Sequence, residues 1–307
     1  MTNKTTRDHV SQEKLPVSIT QFIENMKSRF GLSGDIIYRE LTLGAIPTVM
    51  VYIEGMGDPR LLIEAIHADL PLFIEFPNQS PEVRMNMLKE LTITMGKVGE
   101  ANTFQEVEGK LLSGNTIIFM DGTSTSLYVG TEALKQRGVE EASSQSVVRG
   151  PREGFTESLR ENTALVRRRI QSPKLRIEER TVGEHTNTLV AVMYVDGLYD
   201  IDVLDELRRR LDGIKLDSVL ESNYIEEMIQ DHRYSPFPTV YNSERPDVIA
   251  SALLEGRIAI FVEGTPFVLV VPALFVQLFQ SSEDYYQRWD FASLVRLLRY
   301  FCFGIAL

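Results

Sequence analysis

The chain has a single cysteine, Cys302, among 307 residues, which excludes an intrachain disulfide framework. Its four histidines, His9, His67, His185 and His232, are scattered without metal-ligand spacing, and no cofactor is expected. Basic charge is scarce as well. A formal net charge of -11 argues against a general nucleic-acid binder, which needs a basic surface to displace counterions from phosphates. The polar N-terminus, MTNKTTRDHVSQEKLPVS, lacks an apolar core region and is not a secretory signal. Only after Arg299 does the sequence become almost wholly apolar, and it stops at Leu307, short of the roughly 20 apolar residues that cross a bilayer. That segment reads either as the cut-off start of a membrane span or as a buried terminal helix. If a span begins there, Arg296 and Arg299 precede it and hold the preceding part on the cytoplasmic side.

What is present is enough chain for two ordinary domains and a stretch that poses a question of chemistry. GNTIIFMDGTSTSLYV, Gly114 to Val129, places Asp121-Gly122 between two apolar runs. Phosphatases of the haloacid dehalogenase type end a buried strand with Asp-Gly-Thr, but their nucleophilic aspartate stands two residues earlier. Phe119 occupies that place and cannot attack. Asp-Gly is otherwise a strong hairpin signal, because a tight turn needs positive φ and glycine supplies it.

A second copy of the stretch, GRIAIFVEGTPFVLVV, runs from Gly256 to Val271, 142 residues on, with Glu263-Gly264-Thr265 in place of Asp121-Gly122-Thr123. The same offset aligns the segment from Ile46 with that from Thr188, matching Tyr52 to Tyr194, Glu54 to Asp196, Gly55 to Gly197 and Asp58 to Asp200. One offset serving two separated motifs indicates a duplication. A catalytic carboxylate rarely survives displacement by one methylene, so the exchange of aspartate for glutamate favours hairpins over a catalytic loop. No enzymatic activity is expected. The fold class is α/β: two related α/β subdomains with mixed sheets, whose continuous apolar runs are strands buried on both faces.

Between the copies, GPREGFTESLRENTALVRRRI predicts a helix that Thr156 caps, with glutamates early and Arg167, Arg168 and Arg169 late, an order the helix dipole favours. It reads as an inter-domain helix with a basic face suited to docking. Further on, DHRYSPFPTVYNSERPD is a proline-stiffened loop carrying Tyr234 and Phe237.

These segments, with SALLEGRIAIFVEGTPFVLVVP and SSEDYYQRW followed by SLVRLLRY, closely resemble the soluble N-terminal region of the A subunit of spore germinant receptors, the GerA family. The resemblance runs from about Ile36 to Tyr300 and is more specific after Arg149. It implies a receptor subunit in the spore inner membrane, its soluble part cytoplasmic, acting with a transporter-like B subunit and a lipoprotein C subunit to couple nutrients to ion release. It also implies self-association and membrane attachment through the C-terminal segment, and it carries no catalytic residue. A complete A subunit continues through several membrane helices, whereas this sequence ends at Leu307.

The expected layout is a polar lead-in and first helix over 1–35, a first subdomain over 36–148, a connecting basic helix and linker over 149–179, a second subdomain over 180–290 and a membrane-proximal helix over 291–307. Expected partner contacts are Arg160, Asn162, Arg167, Arg168, Arg169, Tyr234, Phe237, Tyr285, Tyr286 and Trp289. An alternative is that a small solute binds between the subdomains, lined by the strand-end turns at Glu54, Gly55, Asp196 and Gly197.

Overall fold

The computed structural model describes residues 13–43, 46–68, 79–92, 97–131, 153–231, 238–275 and 289–306. The chain divides into two compact units, one of residues 1–29 and 35–133, the other of 30–34 and 134–307.

In the first unit the described elements run α1 (Ile19–Phe30), β1 (Ile36–Leu43), β2 (Ile46–Ile53), α2 (Arg60–Ala68), α3 (Pro81–Thr92), β3 (Val98–Ala101), α4 (Phe104–Leu112), β4 (Thr116–Met120) and β5 (Ser126–Val129). The second unit repeats that order as α5 (Leu159–Arg169), β6 (Leu175–Val182), β7 (Thr188–Val195), α6 (Ile201–Asp212), α7 (Ser222–Ile229), β8 (Tyr241–Ser243), α8 (Pro246–Leu254), β9 (Ile258–Val262) and β10 (Val268–Val271). The sheets have matching strand orders, β1-β2-β4-β5-β3 and β6-β7-β9-β10-β8.

The offset seen in the sequence is kept in the strand register. Thr48 pairs with Met120 as Val190 pairs with Val262, and Ala101 with Ser126 as Ser243 with Val268, each residue 142 positions from its counterpart. The first hairpins differ, because residues 44–45 join β1 to β2 whereas 183–187 join β6 to β7.

Every described pairing is antiparallel, which corrects the expected mixed sheets. The continuous apolar runs have another cause, visible in the second unit. Ala191, Met193, Ala259 and Phe261 pack with Leu159, Val166 and Leu253 on one face, while Val190, Val192, Ile258, Ile260 and Val262 pack with Leu204, Leu211 and Ile225 on the other. Helices cover both faces of an antiparallel sheet, so its central strands lose the usual apolar-polar alternation. The strand β9 is buried along its whole length, as is β4 in the first unit.

The second correction concerns the basic helix. It is not a linker: α5 packs on β7, β9 and α8 and opens the second unit as α1 opens the first. Its N-cap is Ser158, whose hydroxyl accepts from Glu161 N, rather than Thr156.

The second unit continues into α9 (Trp289–Ala306), on which Leu294, Leu297, Leu298, Phe301 and Ile305 are exposed. It is therefore not a buried terminal helix. Among the described residues no helix is long and apolar enough to cross a membrane.

Candidate functional site

The acidic side chains at the two hairpin corners hold helix ends. Gly122 and Gly264 have φ of 87° and 90°, so the corners need glycine. Each hairpin is wider than a two-residue turn, with residues 121–125 and 263–267 between the strands. The acidic side chain turns onto the first helix of its own unit: Asp121 Oδ1 accepts from Ile19 N at 2.9 Å, and Glu263 Oε2 accepts from Leu159 N at 2.8 Å. Alongside, Gly122 N donates to Val17 O and Gly264 N to Glu157 O. A carboxylate at a helix N-terminus satisfies an orphan donor and meets the positive end of the dipole. Either acidic residue can do this, which explains the exchange between copies.

The residues chosen as partner contacts on α5 separate into two sets. Arg160 and Arg168 are exposed, and Arg169 is partly covered and paired with Glu153 at 2.5 Å. Asn162 and Arg167 are corrected to interior residues, with 1% and 0% exposure. Asn162 closes the approach to the helix, since Oδ1 accepts from Thr156 N at 2.8 Å and Nδ2 donates to Thr156 O at 2.6 Å. Arg167 donates to the carbonyls of Ser172 and Leu175 at 3.3 and 3.0 Å and to Ser33 Oγ at 3.2 Å. Burying a guanidinium is tolerable only with such partners. Arg245, also fully buried, pairs with Asp247 at 2.7 Å and precedes Pro246 at the start of α8.

Trp289 begins α9, while Tyr234, Phe237, Tyr285 and Tyr286 lie outside the described residues. The turns proposed to line a solute site take matching places after β2 and β7, with φ of 79° at Gly55 and 85° at Gly197. Asp196 pairs with Arg176 at 3.1 Å within the second unit.

Among the described residues one charged cluster has no counterpart in the first unit. Glu178 on β6 accepts from Tyr194 Oη at 2.6 Å and from Arg208 Nε at 3.1 Å, and Arg208 also reaches Asp205 at 2.8 Å. Burial pushes the Glu178 carboxyl up, but the hydrogen bonds from Arg208 and Tyr194, with the charges of Arg208 and Arg180, outweigh it and hold the group below its ordinary range. Burial, and then the bond to Glu178, push the Tyr194 hydroxyl up.

Each unit has a groove beside its first helix. The second unit's encloses about 460 Å³ and is lined by Ser158, Arg160, Thr186, Asn187, Thr188, Leu220 and Glu263 among others. The first unit's, about 440 Å³, lies against Thr20, Glu24, Lys27, Glu40 and Thr48. None of the four turn residues lines either groove. Among the described residues no group of three or more histidine, cysteine or acidic side chains could hold a metal.

Residues 24–307 match the model of the Bacillus/Clostridium GerA spore germination protein family. The chain belongs to this family. It is 43% identical over 293 residues to spore germination protein KA of Bacillus subtilis (strain 168), covering 94% of this chain and 53% of that protein. It is 33% identical over 288 residues to spore germination protein GerLA of Bacillus cereus, covering 93% and 58%. This GerA-family chain thus spans about half the length of the curated relatives it matches. In three dimensions it is similar to the N-terminal domain of the A subunit of the Bacillus megaterium spore germinant receptor GerK3. That match has a TM-score of 0.68 and 36% identity, and covers 86% of this chain and 98% of that one. The α/β architecture expected from the repeat and from the family resemblance is the one found.

Proposed function

We propose that the chain is the N-terminal part of a germinant receptor A subunit and acts in assembly and regulation, coupling nutrient sensing by its partners to ion release during germination. The observation that carries this reading is the match over nearly the whole of a receptor A-subunit domain. In this reading the chain lies on the cytoplasmic side of the spore inner membrane and self-associates. It acts with a transporter-like B subunit and a lipoprotein C subunit and performs no catalysis. Coupling requires two states that the partners stabilise unequally.

Arg160 and Arg168, the exposed bases of α5, are the contact surface that supports this reading best, with Tyr234, Phe237, Tyr285, Tyr286 and Trp289 as further candidates. Reversing Arg160 and Arg168 to glutamate in the receptor subunit should abolish co-purification of the B and C subunits and nutrient-triggered ion release, with the thermal midpoint unchanged. Normal assembly and response in that variant would refute the proposal.

The groove beside Ser158 favours a second reading, in which the domain itself holds a small polar solute. The turns at Glu54, Gly55, Asp196 and Gly197 stay candidates for a separate solute site. A ligand at 100 times its Kd should stabilise the chain by about 2.7 kcal/mol. A thermal-shift screen of amino acids, sugars and nucleosides checks this, and a uniformly flat result removes the reading.

A further inference from the structure

The repeat exposes a corner that is complete in the first unit and open in the second. In the first unit, the turn leading from β2 to α2 is covered: Met56 is 4% exposed, Leu112 at the end of α4 is 5%, and Pro59 is buried. Thr131, just past β5, crosses this turn. Its carbonyl accepts from Asp58 N at 2.8 Å, and its Oγ1 lies 3.1 Å from where a Cβ on Gly57 would stand.

The second unit does not repeat this bond, and its sequence departs at the same place. After β5, Gly130 N donates to Lys97 O, but the matching residue after β10 is Pro272, which has no N–H. The bond to the matching carbonyl, Thr239 O, is made instead by Ala273, the counterpart of Thr131. Among the described residues the Asp200 N–H, the counterpart of that of Asp58, donates to no carbonyl.

Leu198, Ile201 and Leu254 stand in the places of Met56, Pro59 and Leu112, and they are 51%, 52% and 56% exposed. The turn that carries Leu198 meets the end of α8, because the Leu198 carbonyl lies 2.5 Å from where a Cβ on Gly256, two residues past Leu254, would stand, and Ile201 opens α6 three residues after Leu198. The surroundings are acidic. Asp200 and Asp202 are exposed, and the side chains of Asp196 and Glu255 remain 49% and 47% exposed despite their arginine partners.

We propose that this corner docks an extended segment of a partner polypeptide that carries an aliphatic or aromatic side chain flanked by lysine or arginine. Its apolar side chain covers Leu198, Ile201 and Leu254, its backbone carbonyl takes the Asp200 N–H as Thr131 takes that of Asp58, and its bases meet the acidic rim. The proposal stands apart from the coupling role, since it needs only the second unit.

The test places a photo-cross-linker at the corner, Leu254→p-benzoylphenylalanine, in the protein expressed from its own gene, and maps the cross-linked peptide by mass spectrometry. A control at the exposed Arg209 on α6 reports non-specific capture. The expected product is a different polypeptide joined at an apolar residue lying between bases. Its yield should fall about tenfold on Leu198→Ser, as for loss of an interface anchor, and fall again on Asp202→Lys. Both positions are exposed, so each variant should fold, which circular dichroism verifies. Four outcomes overturn the proposal: no product, a product joined to a second copy of this chain, a product joined at a segment without the apolar-basic pattern, or a yield that both variants leave unchanged.

Discussion

The two units share nine elements, one strand order and one register, yet the interior is not built alike, and the differences show which parts of the repeat are scaffold. The hairpin caps are scaffold, since aspartate in one unit and glutamate in the other hold the same helix end. The first helix is not. Counting from those capped ends, Arg167 of α5 matches Lys27 of α1, and the former is fully buried while the latter is exposed over the Tyr38 ring at 5.6 Å. The second unit thus ties its first helix to the start of β6 through a buried guanidinium.

The largest expected effect breaks the comparison at this pair. Arg167→Ala leaves the carbonyls of Ser172 and Leu175 without their donor in the interior and should destabilise the second unit by about 3 kcal/mol. Arg167→Glu, which buries an unpaired charge, should cost more. Lys27→Ala should change stability by no more than about 0.5 kcal/mol. Denaturant titration followed by hydrogen exchange in each unit reads both. Equal losses at Lys27 and Arg167 would show that the buried site does not distinguish the helices.

A smaller effect tests the corner that Thr131 covers. A Cβ on Gly57 would stand 2.9 Å from the Gly114 carbonyl, so Gly57→Ala should strain the first unit by about 2 kcal/mol. The matching residue of the second unit is Tyr199, whose ring meets Tyr194 at 4.6 Å. There a side chain is accommodated, and among the described residues none repeats the bond that Thr131 makes to Asp58 N. Should Gly57→Ala leave the denaturation midpoint in place, the approach of Gly114 and Thr131 to this turn would not be a tight constraint.

Next in size are the caps. Asp121→Ala and Glu263→Ala should each cost about 1 kcal/mol, the usual value of a lost N-terminal cap, and should do so independently because each acts within its own unit. A double variant whose loss departs from the sum by more than about 0.5 kcal/mol would mean that the units are coupled through these corners.

The repeat, the hairpins and the family were legible because they depend on local order: turn glycines, apolar runs and a constant offset. The strand directions were misread because Ile258 to Val262 and Thr116 to Met120 have no polar face to reveal, and helices on both sides produce that pattern in antiparallel as in parallel strands. Arg167 reads as part of a basic docking face because it is one of three consecutive arginines late in the helix, and only tertiary packing shows that it points inward. Asn162 was misjudged similarly, its role being a bond to the backbone of Thr156. The open corner at Leu198 could be read only from the structure. Isolated exposed leucines are ordinary, and this group becomes informative when its covered counterparts in the first unit are seen.

The smallest effect separates the units by pH. Glu178, Tyr194 and Arg208 form a hydrogen-bonded cluster in the second unit, whereas strand register and offset place Arg39, Tyr52 and Ile66 at the matching positions of the first. The Glu178 carboxyl is held below its unfolded value, so below that value the unfolded state binds more protons than the folded one. Its contribution is therefore complete above the ordinary glutamate pKa of about 4.3 and is lost as pH falls from there through the lower folded value. The side chain is partly exposed, so solvent screening keeps the effect small. In Glu178→Gln the acid-side slope of the second unit's hydrogen-exchange stability should be shallower than in the parent chain, with the first unit's slope unchanged. Identical slopes in the two proteins would show that Arg208 and Tyr194 pair with Glu178 without favouring its charge.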